Sequence, residues 1–215
     1  MNTPTKITFS RIIAIVLMIL VLVTLHFVKM ANPDFFIPNI SDTSGVNWLY
    51  FGLFIFFIVA SFTDFLDGYL ARKNNQVTDL GKFLDPVADK LLINTMVIFL
   101  IVPASYTNNG QMGFSIWCAI LLVLRDIIVD ALRFIAAQKG VVIGANIFGK
   151  LKTVLEMVAV SLVLLNGWPF IYFDREWPVR IADIAVYLCT IASIISGVIY
   201  VVKYGYVLKE NKGIR

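Results

Sequence analysis

Apolar residues form six long stretches along the chain, and short polar segments separate them. Each stretch is about 17–25 residues long, the length of helix that crosses a hydrocarbon core of about 30 Å. The pattern therefore predicts an all-α integral membrane protein, built as a bundle of six transmembrane helices. The predicted spans cover residues 7–28, 47–71, 86–102, 113–137, 147–165 and 181–202.

The segments outside the predicted spans are short. Residues 1–10 form a polar and basic N-terminal arm, and residues 203–215 form a basic tail. Asp85 followed by Pro86 resembles a helix N-cap with proline at the first helical position, which favours a start of the third helix there, and an earlier start stays open. Because the sequence contains no repeat and no separate soluble segment, residues 1–215 are expected to form a single transmembrane domain.

The composition agrees with a membrane bundle. Hydrophobic residues make up 59% of the 215 residues and charged residues only 15%. Soluble domains carry about 25% charged residues, so a soluble single domain of this size is excluded.

Basic residues are distributed unevenly over the predicted topology. With the N-terminus inside, most of the 18 Lys and Arg residues lie in inner segments, whereas Lys29, Arg175 and Arg180 lie in outer ones. This bias predicts that both termini face the cytoplasm of a bacterial-type cell membrane. The net charge of +4 then reflects topology and attraction to lipid headgroups rather than nucleic-acid binding.

Carboxylates stand at the ends of the second and third predicted helices. The pattern is D-x2-D-G-x2-A-R-x8-G-x3-D-x3-D, which begins at Asp64 and ends at Asp89. At 100° per residue, Asp64 and Asp67 share a helix face with Gly68, and Asp85 and Asp89 share a face of the next helix. One ionisable side chain in a span costs about 2.5–3.5 kcal/mol on insertion scales, so four together require an explanation.

Divalent metal ions provide that explanation. Two hard cations, Mg²⁺ or Mn²⁺, would balance four carboxylates and clamp a diphosphate for in-line displacement. Gly68 and Ala71 leave room for a ligand on the same face, and Arg72 adds a cation suited to phosphate. Two alternatives stay open: the acids mark helix ends, or they line the ion pathway of a divalent-metal transporter. A transporter should carry polar groups along a whole route through the bilayer, whereas here they gather on the inner side.

The fourth predicted span carries a second polar group. At helical spacing its charged side chains occupy one arc of about 140°: Arg125, Asp126, Asp130 and Arg133. Together with Lys150 and Lys152, its arginines would bind a phosphate monoester, and one of the two lysines is expected to reach the ligand because they point to different helix faces. The alternative is a set of intramembrane ion pairs, Arg125 with Asp126 and Arg133 with Asp130, beside snorkelling lysines.

The acidic pattern resembles the signature of the CDP-alcohol phosphotransferases. These integral membrane enzymes move a phosphatidyl or similar group from a CDP-linked donor to an alcohol and release CMP. The resemblance implies that Asp89 deprotonates the acceptor hydroxyl, and that Gly68, Arg72 and Thr78 contact the CDP portion of the donor. It also implies that four acids hold two divalent metal ions: Asp64, Asp67, Asp85 and Asp89.

The second polar group resembles one branch of that family. An Arg-Asp pair with Arg eight residues on, followed by Gly-Lys-x-Lys-Thr, is similar to the branch that makes phosphatidylglycerophosphate. The branch usually has Glu where Asp126 stands, and often Gln where Glu156 stands. In that branch the donor is CDP-diacylglycerol and the acceptor is sn-glycerol 3-phosphate. The resemblance implies that four cations hold the acceptor: Arg125, Arg133, Lys150 and Lys152.

The N-terminal arm extends the resemblance. Residues 2–11 resemble the branch's Asn-x-Pro-Asn-x-x-Thr-x-x-Arg, with Thr5 in place of the second Asn. The resemblance implies that Thr5 and Thr8 contact CDP-diacylglycerol. Members of the family are commonly homodimers, so a homodimer among membrane lipids is expected. Within the family, inositol 1-phosphate or serine stays open as the acceptor, which would make the chain a phosphatidylinositol-phosphate or phosphatidylserine synthase.

Overall fold

A computed structural model describes residues 3–40, 45–73, 79–101, 113–141, 147–172 and 180–208. Within these residues the chain forms six α-helices and no β-strand. The helices are α1 (Thr3–Ala31), α2 (Trp48–Lys73), α3 (Asp79–Ile101), α4 (Ile116–Gln138), α5 (Ile147–Leu164) and α6 (Ile181–Tyr204). Short 3₁₀ helices follow at Phe170–Tyr172 and Gly205–Leu208. The all-α prediction is confirmed.

Part of the chain is apolar enough to cross a membrane. Among the described residues, three helical segments have the length and hydropathy of a span: Thr5–Ala31, Trp48–Leu66 and Ile181–Val207. Relative to their length, α3, α4 and α5 carry more charged side chains than these three segments do. Six spans with both termini inside therefore stay a prediction.

Two helices begin before the apolar spans that the sequence predicts. The helix α1 begins at Thr3, so most of the arm 1–10 is helical and continuous with the first span. The helix α3 begins at Asp79, and Pro86 lies inside it rather than at its first position. In both cases the first turns are polar, and a hydropathy pattern detects the apolar part of a helix but not the polar turns that extend from it.

Local signals fix two other helix ends. At the start of α2, Asn47 Oδ1 accepts a hydrogen bond from the Leu49 N–H at 2.8 Å, which is N-cap geometry. At the end of α4, Gly140 has φ +72°. The N–H groups of Gly140 and Val141 donate to Ala137 and Ala136, as in a Schellman motif, where a left-handed residue favours glycine.

The first of two compact units contains α1, α2 and α3. It comprises Met1–Gly113 and Val163–Tyr172. The helix α1 packs against both α2 and α3, and α2 packs against α3. Its buried side chains include Ile15, Tyr50, Phe57, Leu92 and Met96. One helix, α1, therefore contacts both helices that carry the acidic pattern.

The second unit contains α4, most of α5, and α6. It comprises Phe114–Leu162 and Phe173–Arg215. The helix α4 packs along α6, and Lys139 at its end donates a 2.6 Å hydrogen bond to the carbonyl of Val207. The unit buries polar as well as apolar side chains, among them Asp126, Lys152, Glu156 and Ser196.

Candidate active site

The acids that the structure describes lie near one end of α2 and near the start of α3. Asp64 lies in the C-terminal part of α2, and its side chain is 38% exposed. Asp85 and Asp89 lie one turn apart on α3, and both are half-buried. The side chain of Asp67 lies outside the described residues. Because Asp85 and Asp89 are four residues apart in one helix, they share a helix face, as predicted.

Polar side chains of α1 contact these acids. Thr5, Thr8 and Arg11 are buried, and their spacing of three residues puts them on one helix face, which we call the α1 polar face. Thr8 Oγ1 donates a 2.9 Å hydrogen bond to Asp85 Oδ1. Arg11 donates to Asp64 and forms an ion pair with it. The α1 polar face therefore holds one acid of α2 and one of α3.

Sequence reasoning gave Arg11 no role beyond its place in the arm motif. The signal that could have identified its role is the polar spacing itself, because three polar residues at i, i+3 and i+6 of an apolar helix must face a polar interior. Thr8 was predicted to contact CDP-diacylglycerol, and the structure adds its bond to Asp85.

The donor atoms of this region fit a hard divalent cation. Within the described part of the chain no three Asp, Glu, His or Cys side chains assemble as metal ligands, and the fourth predicted ligand, Asp67, is outside it. Carboxylate oxygens are the ligands that Mg²⁺ and Mn²⁺ prefer. Asp64 has one oxygen engaged by Arg11 while its side chain stays 38% exposed, so it can take a further ligand.

The predicted nucleotide contacts are described only in part. Gly68 lies in α2, one residue beyond Asp67, and is half-buried. Thr5 is buried on the α1 polar face. Thr78 and the side chain of Arg72 lie outside the described residues. Contacts of all four residues with CDP stay predictions.

In the second unit, a buried lysine lies between two buried acids. Lys152 Nζ donates to Asp126 Oδ1 and Oδ2 at 3.0 and 2.8 Å, and it lies 2.6 Å from Glu156 Oε2, one turn along α5. The Lys152 side chain is 6% exposed and that of Glu156 is 1% exposed. These bonds join α4 to α5 inside the unit.

Arg125 joins the same group of charges. It donates to Asp126 Oδ1 at 2.9 Å and to Ser196 Oγ on α6 at 2.7 Å, so the Arg125–Asp126 ion pair proposed as an alternative is present. We call Arg125, Asp126, Lys152 and Glu156 the charge network; with every group ionised its formal charges cancel. Arg125 also borders a cavity of about 350 Å³ whose other lining residues lie on α4 and α6 and are apolar or glycine.

The remaining predicted acceptor cations are more accessible. Arg133 is exposed, donates a 2.9 Å hydrogen bond to Tyr200 Oη, and has its guanidinium carbon 5.1 Å from the centre of the Tyr200 ring. Lys150 lies in the first turn of α5 and is exposed. A phosphate could therefore reach Arg133 and Lys150 directly, whereas Lys152 is surrounded by carboxylates.

Helices of membrane length and acids held by α1 near the ends of α2 and α3 agree with a membrane-bound phosphotransfer enzyme. The chain belongs to the CDP-alcohol phosphatidyltransferase family, whose family model matches residues 1–202. It is therefore an enzyme of CDP-dependent phosphatidyl transfer.

Two relatives resemble the chain over nearly its whole length, and a third resembles about two thirds of it. It is 36% identical over 215 residues to the CDP-diacylglycerol–glycerol-3-phosphate 3-phosphatidyltransferase of Bacillus subtilis, with 98% of each chain covered. It is 31% identical to the protein of the same name from Wigglesworthia glossinidia brevipalpis, with 96% of this chain and 94% of the relative covered. A third relative of that name, from Mycoplasma genitalium, is 35% identical over 156 residues, with 67% of this chain and 60% of the relative covered.

Proposed function

We propose that the protein transfers the phosphatidyl group of CDP-diacylglycerol to sn-glycerol 3-phosphate, giving phosphatidylglycerophosphate and CMP in phospholipid biosynthesis. The observation that carries the proposal is the 36% identity, over 98% of both chains, to a relative named for this reaction. The contacts of Thr8 with Asp85 and of Arg11 with Asp64 support it, because they hold acids of the signature in a common region of the first unit.

The first unit provides the donor site in this proposal. Asp64, Asp67, Asp85 and Asp89 would hold two divalent ions, Mg²⁺ or Mn²⁺, as the family resemblance implies. When bound, the ions supply charge neutralisation at the diphosphate and at the departing CMP phosphate. Thr5, Thr8, Gly68, Arg72 and Thr78 are the residues proposed to contact CDP-diacylglycerol.

The chemical step needs a base and a positioned hydroxyl. Asp89 accepts the proton of the primary hydroxyl of glycerol 3-phosphate, and the hydroxyl oxygen attacks the phosphorus that carries diacylglycerol. The bond from that phosphorus to the bridging oxygen breaks, and CMP leaves with the electron pair. Positioning and electrostatic stabilisation account for most of the catalysis in phosphoryl-type transfer, which is why the carboxylates need fixed orientations.

The second unit provides the acceptor site. Arg125, Arg133, Lys150 and Lys152 were predicted to hold the acceptor phosphate, and we assign them different parts. Arg133 and Lys150 are exposed and contact the phosphate. Lys152 and Arg125 already bond Asp126, Glu156 or Ser196, so they stabilise the shape of the site.

The surroundings of the enzyme follow from its hydropathy and charge. We infer that a single domain of six spans lies in the cytoplasmic membrane with both termini and the acids on the cytoplasmic side. The three described segments of span-like hydropathy and the inner excess of Lys and Arg support this topology. The proposed assembly is a homodimer.

The proposal is tested by CMP release from CDP-diacylglycerol in detergent with Mg²⁺. Glycerol 3-phosphate, inositol 1-phosphate and serine are added separately, and EDTA is the metal-free control. Release that depends on glycerol 3-phosphate and is abolished by EDTA is expected. Release with another acceptor instead would overturn the acceptor assignment but keep the family chemistry. A divalent-metal transporter would release no CMP under any of these conditions.

A further inference from the structure

We propose that Thr8 and Arg11 of α1 are positioning residues for the metal site. They orient the carboxylates of Asp85 and Asp64, and in this way they set the affinity for the divalent ions. The inference rests on the proposed function, because Asp64 and Asp85 are the metal ligands in that proposal. It assigns to α1 a part in metal binding that the acidic pattern alone does not contain.

The hydroxyl of Thr8 reaches across a helix interface. Hydroxyls in helices often bond a carbonyl of the preceding turn, as Ser10 does with Ile7 and Thr24 with Leu20, both at 2.8 Å. Thr8 donates to Asp85 on α3, 77 positions away, at 2.9 Å, and Thr8 is 1% exposed. A buried hydroxyl aimed at a carboxylate fixes one of its oxygens and leaves the other for a ligand.

Arg11 makes the equivalent contact with α2. Its side chain is 3% exposed, and it forms an ion pair with Asp64, whose side chain is 38% exposed. Losing one partner of a buried ion pair leaves an uncompensated charge, so the guanidinium strongly favours the orientation of Asp64 that keeps the pair. The exposed part of that carboxylate is available to a metal ion.

Both contacts come from the same face of α1. Thr8 and Arg11 are three residues apart on the α1 polar face, so α1 holds one ligand of α2 and one of α3 relative to each other. Groups that orient metal ligands typically contribute about 10–100-fold to metal affinity. Loss of either contact should therefore weaken metal binding even though every carboxylate remains.

The experiment titrates purified full-length protein in detergent with Mn²⁺, and the free ion is measured by its EPR signal. The variants are Thr8→Val, Thr8→Ser, Arg11→Gln and Arg11→Lys. The matched control is Thr24→Val, on the same helix, because the exposed Thr24 hydroxyl bonds its own helix. We expect Thr8→Val and Arg11→Gln to bind Mn²⁺ about 10–100-fold more weakly. Thr8→Ser and Thr24→Val should bind it like the wild type, and Arg11→Lys should fall between.

A second readout separates positioning from a general loss of structure. CMP release is measured against Mn²⁺ concentration at saturating CDP-diacylglycerol, and the rate of Thr8→Val should rise with added metal and reach its half-maximum at a higher Mn²⁺ concentration than that of the wild type. A misfolded variant would not recover with metal. If Thr8→Val does not fold, the comparison of Thr8→Ala with Thr8→Ser makes the same distinction.

The outcomes distinguish a failure of the proposed function from a failure of the inference about Thr8 and Arg11. Wild-type protein that binds no Mn²⁺ and releases no CMP would contradict the proposed function itself. Wild-type protein that binds Mn²⁺ and turns over, together with unchanged affinity in Thr8→Val and Arg11→Gln, would overturn the inference alone. Tighter binding in Arg11→Gln would also overturn it for Arg11, since it would mean that Arg11 competes with the metal ion.

Discussion

Lys152 donates hydrogen bonds to both carboxylate oxygens of Asp126, at 3.0 and 2.8 Å, from the neighbouring helix α5. Its ammonium nitrogen also lies 2.6 Å from Glu156. Lys152, which the Gly-Lys-x-Lys-Thr motif predicts to be a phosphate ligand, therefore lies between Asp126 and Glu156. A phosphate approaching Lys152 would meet carboxylate repulsion, whereas Lys150, two residues earlier, is exposed. This contrast is why we assign Lys152 a stabilising part and propose Lys150 as the phosphate ligand.

Replacing Lys152 should lower the stability of the protein, whereas replacing Lys150 should weaken the binding of glycerol 3-phosphate. Lys152→Met leaves Asp126 and Glu156 buried without their shared cation, and we expect the free energy of unfolding to fall by about 3–5 kcal/mol. Lys150→Met, the matched substitution on the exposed side of α5, should leave that free energy unchanged and raise the KM for glycerol 3-phosphate. Thermal and denaturant unfolding in detergent and steady-state kinetics measure the two effects. A stable Lys152→Met enzyme with a raised KM would reverse the assignment.

The Arg133–Tyr200 contact gives a second test of the acceptor site. Tyr200 Oη accepts a hydrogen bond from Arg133 at 2.9 Å, and Tyr200→Phe removes that bond while keeping the ring. Because hydrogen bonds to charged groups contribute about 1.5–3 kcal/mol, we expect the KM for glycerol 3-phosphate to rise by about 10-fold or more. Arg133→Ala should raise it further, with the KM for CDP-diacylglycerol little changed.

The control for this test is Tyr187→Phe, an exposed tyrosine of the same helix. It should leave both KM values at their wild-type level. An unchanged KM for glycerol 3-phosphate in Tyr200→Phe and Arg133→Ala would mean that Arg133 does not bind the acceptor phosphate.

The sequence predicts the existence of the helices better than their ends. Six apolar stretches correspond to six helices because burial in lipid or in a helix bundle requires apolar side chains. Thr3–Lys6 is polar and Asp79–Asp85 mixes charged with apolar side chains, so hydropathy does not mark either segment as part of a span, yet the second one carries Asp85. The prediction failed where the helices extend into the region of the proposed site.

The sequence also predicts shared faces better than partners. Spacing puts Arg125 and Asp126 in one arc, and their ion pair is observed. Spacing cannot reveal that Thr8 bonds Asp85 or that Arg125 bonds Ser196. The paired residues lie on different helices and are 77 and 71 positions apart in the sequence. Spacing also separates Lys150 from Lys152 by face, but tertiary packing decides which of those faces is buried.

Gly197 allows Arg125 to lie against α6. A Cβ atom at position 197 would lie 2.8 Å from Arg125 Cγ, and that atom is in the middle of the side chain, where it cannot simply swing away. Gly197→Ala should displace Arg125 from Ser196 and Asp126. We expect a loss of about 1–3 kcal/mol in the free energy of unfolding, as for other overpacked sites, and a raised KM for glycerol 3-phosphate.

The matched control is Gly205→Ala, just beyond the same helix. No atom of the described residues lies within 4 Å of a Cβ added there, and its φ of −60° suits alanine. Both the unfolding free energy and the kinetics of Gly205→Ala should match the wild type. Wild-type stability in Gly197→Ala would mean that Arg125 has another place to lie.

Asp89→Asn tests the part proposed for Asp89, which is both base and metal ligand in the proposed function. The amide has nearly the shape of the carboxylate but cannot accept the proton of the acceptor hydroxyl, and general-base catalysis typically contributes about 10²–10⁴-fold. We expect CMP release to fall by at least that factor, with the unfolding transition retained. Asp34→Asn, in the exposed loop after α1, is the control and should keep the wild-type rate. Near-normal CMP release from folded Asp89→Asn protein would assign the base to another group, and Asp85, one turn earlier on α3 and already bonded to Thr8, would be the next residue to replace.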